Sequence, residues 1–267
     1  MGIRTFTVSR SEAVAIRSGT DGFQPKYLSK DRKYFIKEAA VLGRVTMRDW
    51  MVEIIASKLC EQLGIYHVEQ RHCLVKKPNA TSDAVMSPNF TLDNKVFISF
   101  ESFLNRNFHV STDDSAFIML SSYDKLLFCA EHISKNTGIS KQQAFKYMLD
   151  LAIIDILVGN NDRHVKNFGV FWDTSYNKYC IARIFDCGMG LFENDYYRDQ
   201  YKSLQDRYRT MYVAPYGEDL FDMIKILKSR INLNNFYNFK NIDASSFKFP
   251  NSDAKLYFSM VLKELKQ

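Results

Sequence analysis

At 267 residues, 46% hydrophobic and 25% charged, the chain has the composition of a folded globular protein, long enough for one large core or two lobes. Its 36 basic and 30 acidic residues leave a net charge of +6 scattered without a polybasic block, which argues against direct nucleic-acid binding. No run approaches the roughly 18 apolar residues of a spanning helix, and the start lacks the apolar stretch of a secretory signal.

Along the chain, Ser18-Gly19-Thr20-Asp21-Gly22 has turn chemistry. Its glycines would let backbone amides approach a phosphate, although an ordinary hairpin turn reads the same. Tyr34 to Glu38 alternates as a strand, with Lys37 on the face opposite Ile36. Thr46-Met47-Arg48-Asp49 has the pattern of a capping box and Gly64 of a helix stop, so the spacing predicts a helix over 47–63 with an apolar stripe of Val52, Ile55, Ala56, Leu59 and Leu63. Glu53 lies at the edge of that stripe. Lys95 to Glu101 reads as a further strand. A helix capped by Asp113 or Asp114 is expected to run to His132, and Ser140-Lys141-Gln142-Gln143 caps a second one to Leu157, stopped at Gly159. Phe168 to Trp172 and Tyr179 to Phe185 read as strands joined by the polar turn Asp173 to Lys178. After a tyrosine-rich segment from Glu193, Leu220 to Ile231 and Lys255 to Leu265 look helical. Cys60, Cys73, Cys129, Cys180 and Cys187 include no Cys-x-x-Cys pair, which suits a reduced compartment without structural zinc.

Between the second predicted helix and its following strands lies Asp162-Arg163-His164-Val165-Lys166-Asn167, and after those strands Asp186-Cys187-Gly188. Phosphoryl transfer asks a protein mainly to position reactants and stabilise spread negative charge. Mg²⁺ keeps several waters and typically takes one carboxylate and one amide carbonyl, as Asp186 and Asn167 would provide. Asp162 is then left to orient a hydroxyl and accept its proton. Asp, Asn and Gly also cluster in plain turns, but a turn needs no Lys and Asn at these offsets followed by a strand ending in Asp. Both ends of the predicted hairpin bring Asp162, Asn167 and Asp186 to one edge.

With the His after the Asp, this motif resembles that of the HipA-like kinases, a bacterial serine/threonine kinase family that includes the HipA toxins and short CtkA-type members. Gly22-Phe23-Gln24-Pro25-Lys26 resembles the family's nucleotide loop, Tyr34-Phe35-Ile36-Lys37 its ATP-lysine strand, and Ile184-Phe185-Asp186-Cys187-Gly188 its metal motif, so the likeness spans about Gly19 to Leu191. It implies a two-lobed α+β protein-kinase-like fold, with a β-rich N-lobe over 1–104, a mainly helical C-lobe over 105–267, and ATP and Mg²⁺ between them.

The resemblance also implies roles. Gly19, Gly22, Lys26 and Lys37 would hold the phosphates, with Glu53 (Glu61 in reserve) steadying the Lys37 ammonium. The strand ending at Ser99, Phe100 and Glu101 would be the hinge that meets adenine through main-chain groups. Asp162 would be the catalytic base, His164 an orienting group, Arg163 structural, and Asn167 and Asp186 the metal ligands. Lys166 would either neutralise charge near the γ-phosphate or be a surface lysine. The expected substrate is a protein Ser/Thr hydroxyl, with autophosphorylation at Ser18 or Thr20 as one candidate and an antitoxin-like protein as a conceivable partner. A bacterial cytoplasmic location is expected, with signal-less export as an effector the other option. Three rival readings stand beside it: a phosphoinositide-type lipid kinase, a pseudokinase serving as a binding module, and a small-molecule kinase.

Overall fold

The computed structural model describes residues 3–8, 13–15, 24–42, 45–89, 94–108, 117, 119–191, 212–213 and 218–267. The chain begins with β1 (Arg4–Thr7), β2 (Ala13–Ala15), β3 (Lys26–Ser29) and β4 (Tyr34–Glu38). A small ladder of β5 (Val41–Leu42) and β6 (Val45–Thr46) leads into α1 (Asp49–Leu63), followed by β7 (Arg71–Lys77) and β8 (Ala80–Pro88). Six of these strands form one sheet in the order β1-β7-β8-β4-β3-β2, antiparallel except for the parallel β1–β7 pair. Alternation on β4 turns Ile36 into a core with Phe6, Tyr27, Cys73, Val75, Ala84 and Met86, and leaves Lys37 half-buried on the other face.

Helix α1 departs from expectation at its start. Its N-cap is Arg48, which makes no side-chain cap, while Thr46 belongs to β6. The Asp49 carboxylate instead accepts the Ala40 N–H at 3.3 Å and so ties the exit of β4 to the helix. The predicted stop is present, since Gly64 is left-handed at φ 66°. The stripe Val52, Ile55, Ala56 and Leu59 enters the larger, helical core, so α1 joins the two halves of the molecule.

The strand expected over Lys95 to Glu101 ends early: β9 covers Lys95–Ser99 and α2 begins at once, over Phe100–Phe108. Phe100 and Glu101 donate their N–H groups to Phe168 O (2.8 Å) and Val165 O (3.1 Å), and Ser99 Oγ accepts from the Ser102 N–H at 3.2 Å. These bonds turn the chain into a helix. The expected lobe division after residue 104 therefore falls inside α2.

Next come α3 (Ser122–Thr137) and α4 (Lys141–Val158). Ser121 caps α3, and the expected caps Asp113 and Asp114 lie outside the described residues. Ser140 and Gln143 make the anticipated capping box of α4, and Gly159 ends it at φ 58°. From Tyr147 to Val158 every α4 side chain is buried, so it is the hub of the helical core rather than a one-faced helix.

The hairpin β10 (Gly169–Asp173) and β11 (Lys178–Ile181) pairs with β9 in a separate three-stranded sheet, ordered β11-β10-β9. A Cβ on Gly169 would lie 2.1 Å from Ile98 O, so only glycine lets β10 approach β9 as the chain leaves the loop over 160–168. The short ladder β12 (Tyr212–Val213) with β13 (Glu218–Asp219) precedes α5 (Leu220–Arg230), and three 3-10 turns lead to α6 (Ser252–Lys266), which packs on α4. Among the described residues no helix is long and apolar enough to cross a membrane.

Candidate active site

The loop after α4 is built from local bonds. Asn160 donates its side-chain amide to Asp155 Oδ1 at 2.8 Å, and its carbonyl oxygen accepts the Asp162 N–H at 3.2 Å. His164 N–H reaches Asp162 O and Asn167 N–H reaches His164 O, both at 2.9 Å. His164 Nδ1 lies 3.3 Å from the Lys166 N–H, which it accepts. That bond assigns the ring proton of a neutral His164 to Nε2.

Arg163 is fully buried at the centre of this loop. Its Nε and Nη2 form a fork on Asp155 of α4 at 3.0–3.3 Å, while Nη1 donates to Asn167 O (3.2 Å) and Phe185 O (2.6 Å), and Nη2 to Cys187 Sγ (3.1 Å). Burial pushes the Asp155 carboxyl up, against the pull of the Arg163 charge. Cys187 is a buried thiol, raised far above its ordinary range mainly by that burial, which makes it a packing residue rather than a nucleophile.

On β4, Lys37 Nζ sits 3.0 Å from Glu53 Oε1 and 2.6 Å from Asp186 Oδ1. Glu53 is 3% exposed, and its second oxygen accepts the Cys187 N–H at 3.1 Å, so one carboxylate of α1 holds both the lysine and the metal-motif loop. A Cβ on Gly188 would come within 3.2 Å of Glu53 Oε1, which is why the loop can close on that carboxylate. Burial alone would raise the Asp186 carboxyl; the charge and hydrogen bond of Lys37, backed by Arg163 and Lys26, bring it down to about 2. Lys37 moves the opposite way: against burial, Asp186 and Glu53 raise it. Lys26 lies directly opposite Lys37 in the β3–β4 register, which places both ammonium groups on one face. Burial lowers Lys26, Asp186 opposes this, and Lys37 adds to it.

Asp162 is exposed at the mouth of the site. Loss of surrounding water raises its carboxyl; His164 opposes that rise and Asp186 adds to it. Asp186 itself has φ 60°, a left-handed backbone that Asp tolerates better than most side chains.

The structure thus brings Lys26, Lys37, Glu53, Asp162, His164, Asn167 and Asp186 around one region. Lys166 is exposed at its rim, and Glu61 points to solvent on α1. Gly19 and Gly22 lie outside the described residues, as do Ser18 and Thr20. Phe100 and Glu101 do not serve as a hinge strand, since their N–H groups are already bonded within the helical lobe. In the large sheet β4 is flanked by β3, with Lys37 opposite Lys26, and by β8, with Lys37 opposite Val85. Two further carboxylates matter here. Asp155, given no role from the sequence, anchors Arg163; Asp49, expected only as part of a capping box, is 2% exposed and one turn before Glu53, with burial pushing its carboxyl up to about 6 despite Lys37. A carboxylate set between apolar residues of a helix, as Asp155 is between Ile154 and Ile156, is a signal that would have found it.

The donor set suits a hard cation. Among the described residues no group of three or more His, Cys, Asp or Glu forms a cage. An ionised Asp186 and the buried Asn167 amide are what Mg²⁺ takes from a protein when phosphates and water complete its octahedron.

A family profile described as the HipA-like C-terminal domain matches residues 18–261. Among solved structures, the proinflammatory kinase CtkA of Helicobacter pylori aligns with a TM-score of 0.63 at 19% identity, over 98% of this chain and 94% of that one. HipA of the Shewanella oneidensis MR-1 toxin–antitoxin system, solved with HipB and its operator DNA, aligns with a TM-score of 0.43 at 16% identity, over 94% of this chain and 64% of that one. No curated protein sequence matches the chain. The CtkA likeness establishes a kinase-like α+β fold with a sheet lobe and a helical lobe.

Proposed function

The chain belongs to the HipA-like C-terminal domain family, and on that premise we propose that it is an ATP- and Mg²⁺-dependent protein serine/threonine kinase. The observation that carries the reading is Lys37 Nζ held between Glu53 (3.0 Å) and Asp186 (2.6 Å). It joins a strand, a helix and the metal-motif loop at the spot where a nucleoside triphosphate needs positive charge.

In this reading Lys37, with Lys26 beside it, contacts the α- and β-phosphates. Asn167 and Asp186 would hold Mg²⁺, which when bound neutralises charge on the phosphate oxygens. Asp162 accepts the proton of the incoming Ser or Thr hydroxyl as its oxygen bonds to the γ-phosphorus, and the bond from that phosphorus to the β–γ bridging oxygen breaks, leaving ADP with the electron pair. A carboxyl raised above its usual range is the better base for a hydroxyl, because proton affinity and ionisation are closer to balance near neutral pH. His164, whose backbone N–H bonds Asp162 O at 2.9 Å, keeps the Asp162 turn oriented. Adenine would lie against the end of β8, the neighbour of the Lys37 strand.

The test is incubation of the purified chain with γ-labelled ATP, Mg²⁺ and a cell lysate, followed by mass spectrometry of modified residues. Phosphate on Ser or Thr of the chain or of a lysate protein is expected. Label confined to lipid or to a small metabolite would replace the protein-kinase reading, and nucleotide binding without transfer would leave a binding module.

A further inference from the structure

Resting on the kinase reading, we propose that Arg163 is a positioning residue that sets the separation of Asn167 and Asp186, and thereby the size of cation the site accepts. Its guanidinium plane faces two ways. On one side Asp155 grips it from α4, where Asn160 also holds the carboxylate at 2.8 Å. On the other side its donors converge on the backbone of Asn167 and on both neighbours of Asp186, through Phe185 O at 2.6 Å and Cys187 Sγ at 3.1 Å.

A buried ion pair that served only the fold would be complete with Asp155. Here the donors left over bridge two segments far apart in the chain, each carrying one metal ligand. A rigid fork with several donors at fixed angles does this, and a lysine, being a point charge on a flexible stem, does not. The same loop is also gripped by Glu53 from α1 through the Cys187 N–H at 3.1 Å, so the two ligands are referenced to two helices. Mg²⁺ requires near-ideal octahedral contacts at roughly 2.0–2.1 Å, whereas Ca²⁺ accepts irregular shells at roughly 2.3–2.6 Å. A clamp that fixes the ligand spacing therefore favours the smaller ion, and loosening it should hurt Mg²⁺ more than Ca²⁺.

The experiment uses the full chain and two variants, Arg163→Lys and the double variant Asp155→Leu with Arg163→Met. The double variant replaces the ion pair by apolar side chains, an exchange that often leaves stability unchanged or improved. Binding of a non-hydrolysable ATP analogue is titrated calorimetrically with Mg²⁺, with Ca²⁺ and with EDTA, and thermal midpoints are recorded. Expected is a loss of about 10- to 100-fold in Mg²⁺-assisted affinity, the range seen when partners of metal ligands are removed. Affinity in EDTA should stay near that of the unaltered chain, and the Mg²⁺ to Ca²⁺ preference should shrink. An unaltered preference in folded variants overturns the clamp alone. Variants that both fail to fold overturn it as well, because the pair would then serve the helical lobe and not the metal ligands. If the unaltered chain binds the analogue equally with Mg²⁺ and with EDTA, the kinase reading falls and the clamp falls with it.

Discussion

Replacing Asp49 by asparagine should stabilise the protein at pH 8 and not at pH 4. Asp49 is 2% exposed and burial pushes its carboxyl up to about 6 from an ordinary 3.8, even though Lys37 pulls the other way. The folded state thus binds the proton more tightly than the unfolded chain. A raised carboxyl weakens folding as pH climbs from the unfolded value through the folded one. Above pH 6 the carboxylate must be kept charged in a site that prefers it neutral, at about 1.4 kcal/mol per pH unit, or about 3 kcal/mol as an upper bound. Water entry and relaxation around the charge reduce this, leaving about 1–2 kcal/mol. Asparagine keeps an oxygen for the Ala40 N–H, bonded at 3.3 Å, and adds no charge, so the bond between β4 and α1 survives. Urea unfolding of both proteins at pH 8, 6 and 4 measures the effect. The variant should be the more stable at pH 8, with the gap closing between pH 6 and pH 4. A gap independent of pH, or a variant less stable at pH 8, would refute the argument.

Asp162→Asn should leave nucleotide affinity within about threefold while transfer falls by roughly 100-fold or more, as loss of a positioned base does; calorimetry and a transfer assay separate the two effects. Glu53→Ala removes one partner of Lys37 and the acceptor of the Cys187 N–H, and should cost about 3 kcal/mol in denaturant unfolding, together with weaker ATP binding. An unchanged unfolding midpoint would show that Asp186 alone suffices for Lys37. Gly169→Ala forces a Cβ to within 2.1 Å of Ile98 O and should destabilise by about 3 kcal/mol, read as a lower Tm, because backbone rather than a yielding side chain stands in the way.

Local chemistry was legible where it is decided locally. Ser140 and Gln143 cap α4 because both partners lie within one turn, and Gly64 and Gly159 end helices because only a residue at ease at positive φ does so. The order of Asp162, Asn167 and Asp186 around a hairpin also carried over, as did Glu53 beside Lys37. What failed was long-range. Thr46 has the residue type of a cap, but a two-residue ladder with Val41 claims it. Lys95 to Glu101 has a strand pattern throughout, yet Phe168 O and Val165 O, more than sixty residues away, take the N–H groups of Phe100 and Glu101 and start a helix. Arg163 was legible as structural, whereas its bonds to the Asn167 and Asp186 segments join residues that only the folded hairpin and α4 bring together.

The contacts that join α1, α4, β4 and the two loops form a closed circuit. Asp155 holds Arg163, Arg163 holds Cys187, Cys187 donates to Glu53, Glu53 holds Lys37, and Lys37 holds Asp186 next to Cys187. Enzymes commonly sacrifice stability at a strained centre, so that stabilising changes dull activity. Here the polar bonds that knit the two halves together run through the candidate site, so the stability of the fold and the order of that site rest on the same residues. Damage should then unfold this circuit as one cooperative unit, slowing amide exchange in α1 and in the Asp186 loop in step when it is repaired. Removal of a single charged member, as in Glu53→Ala, should therefore lower the thermal midpoint and weaken nucleotide binding together.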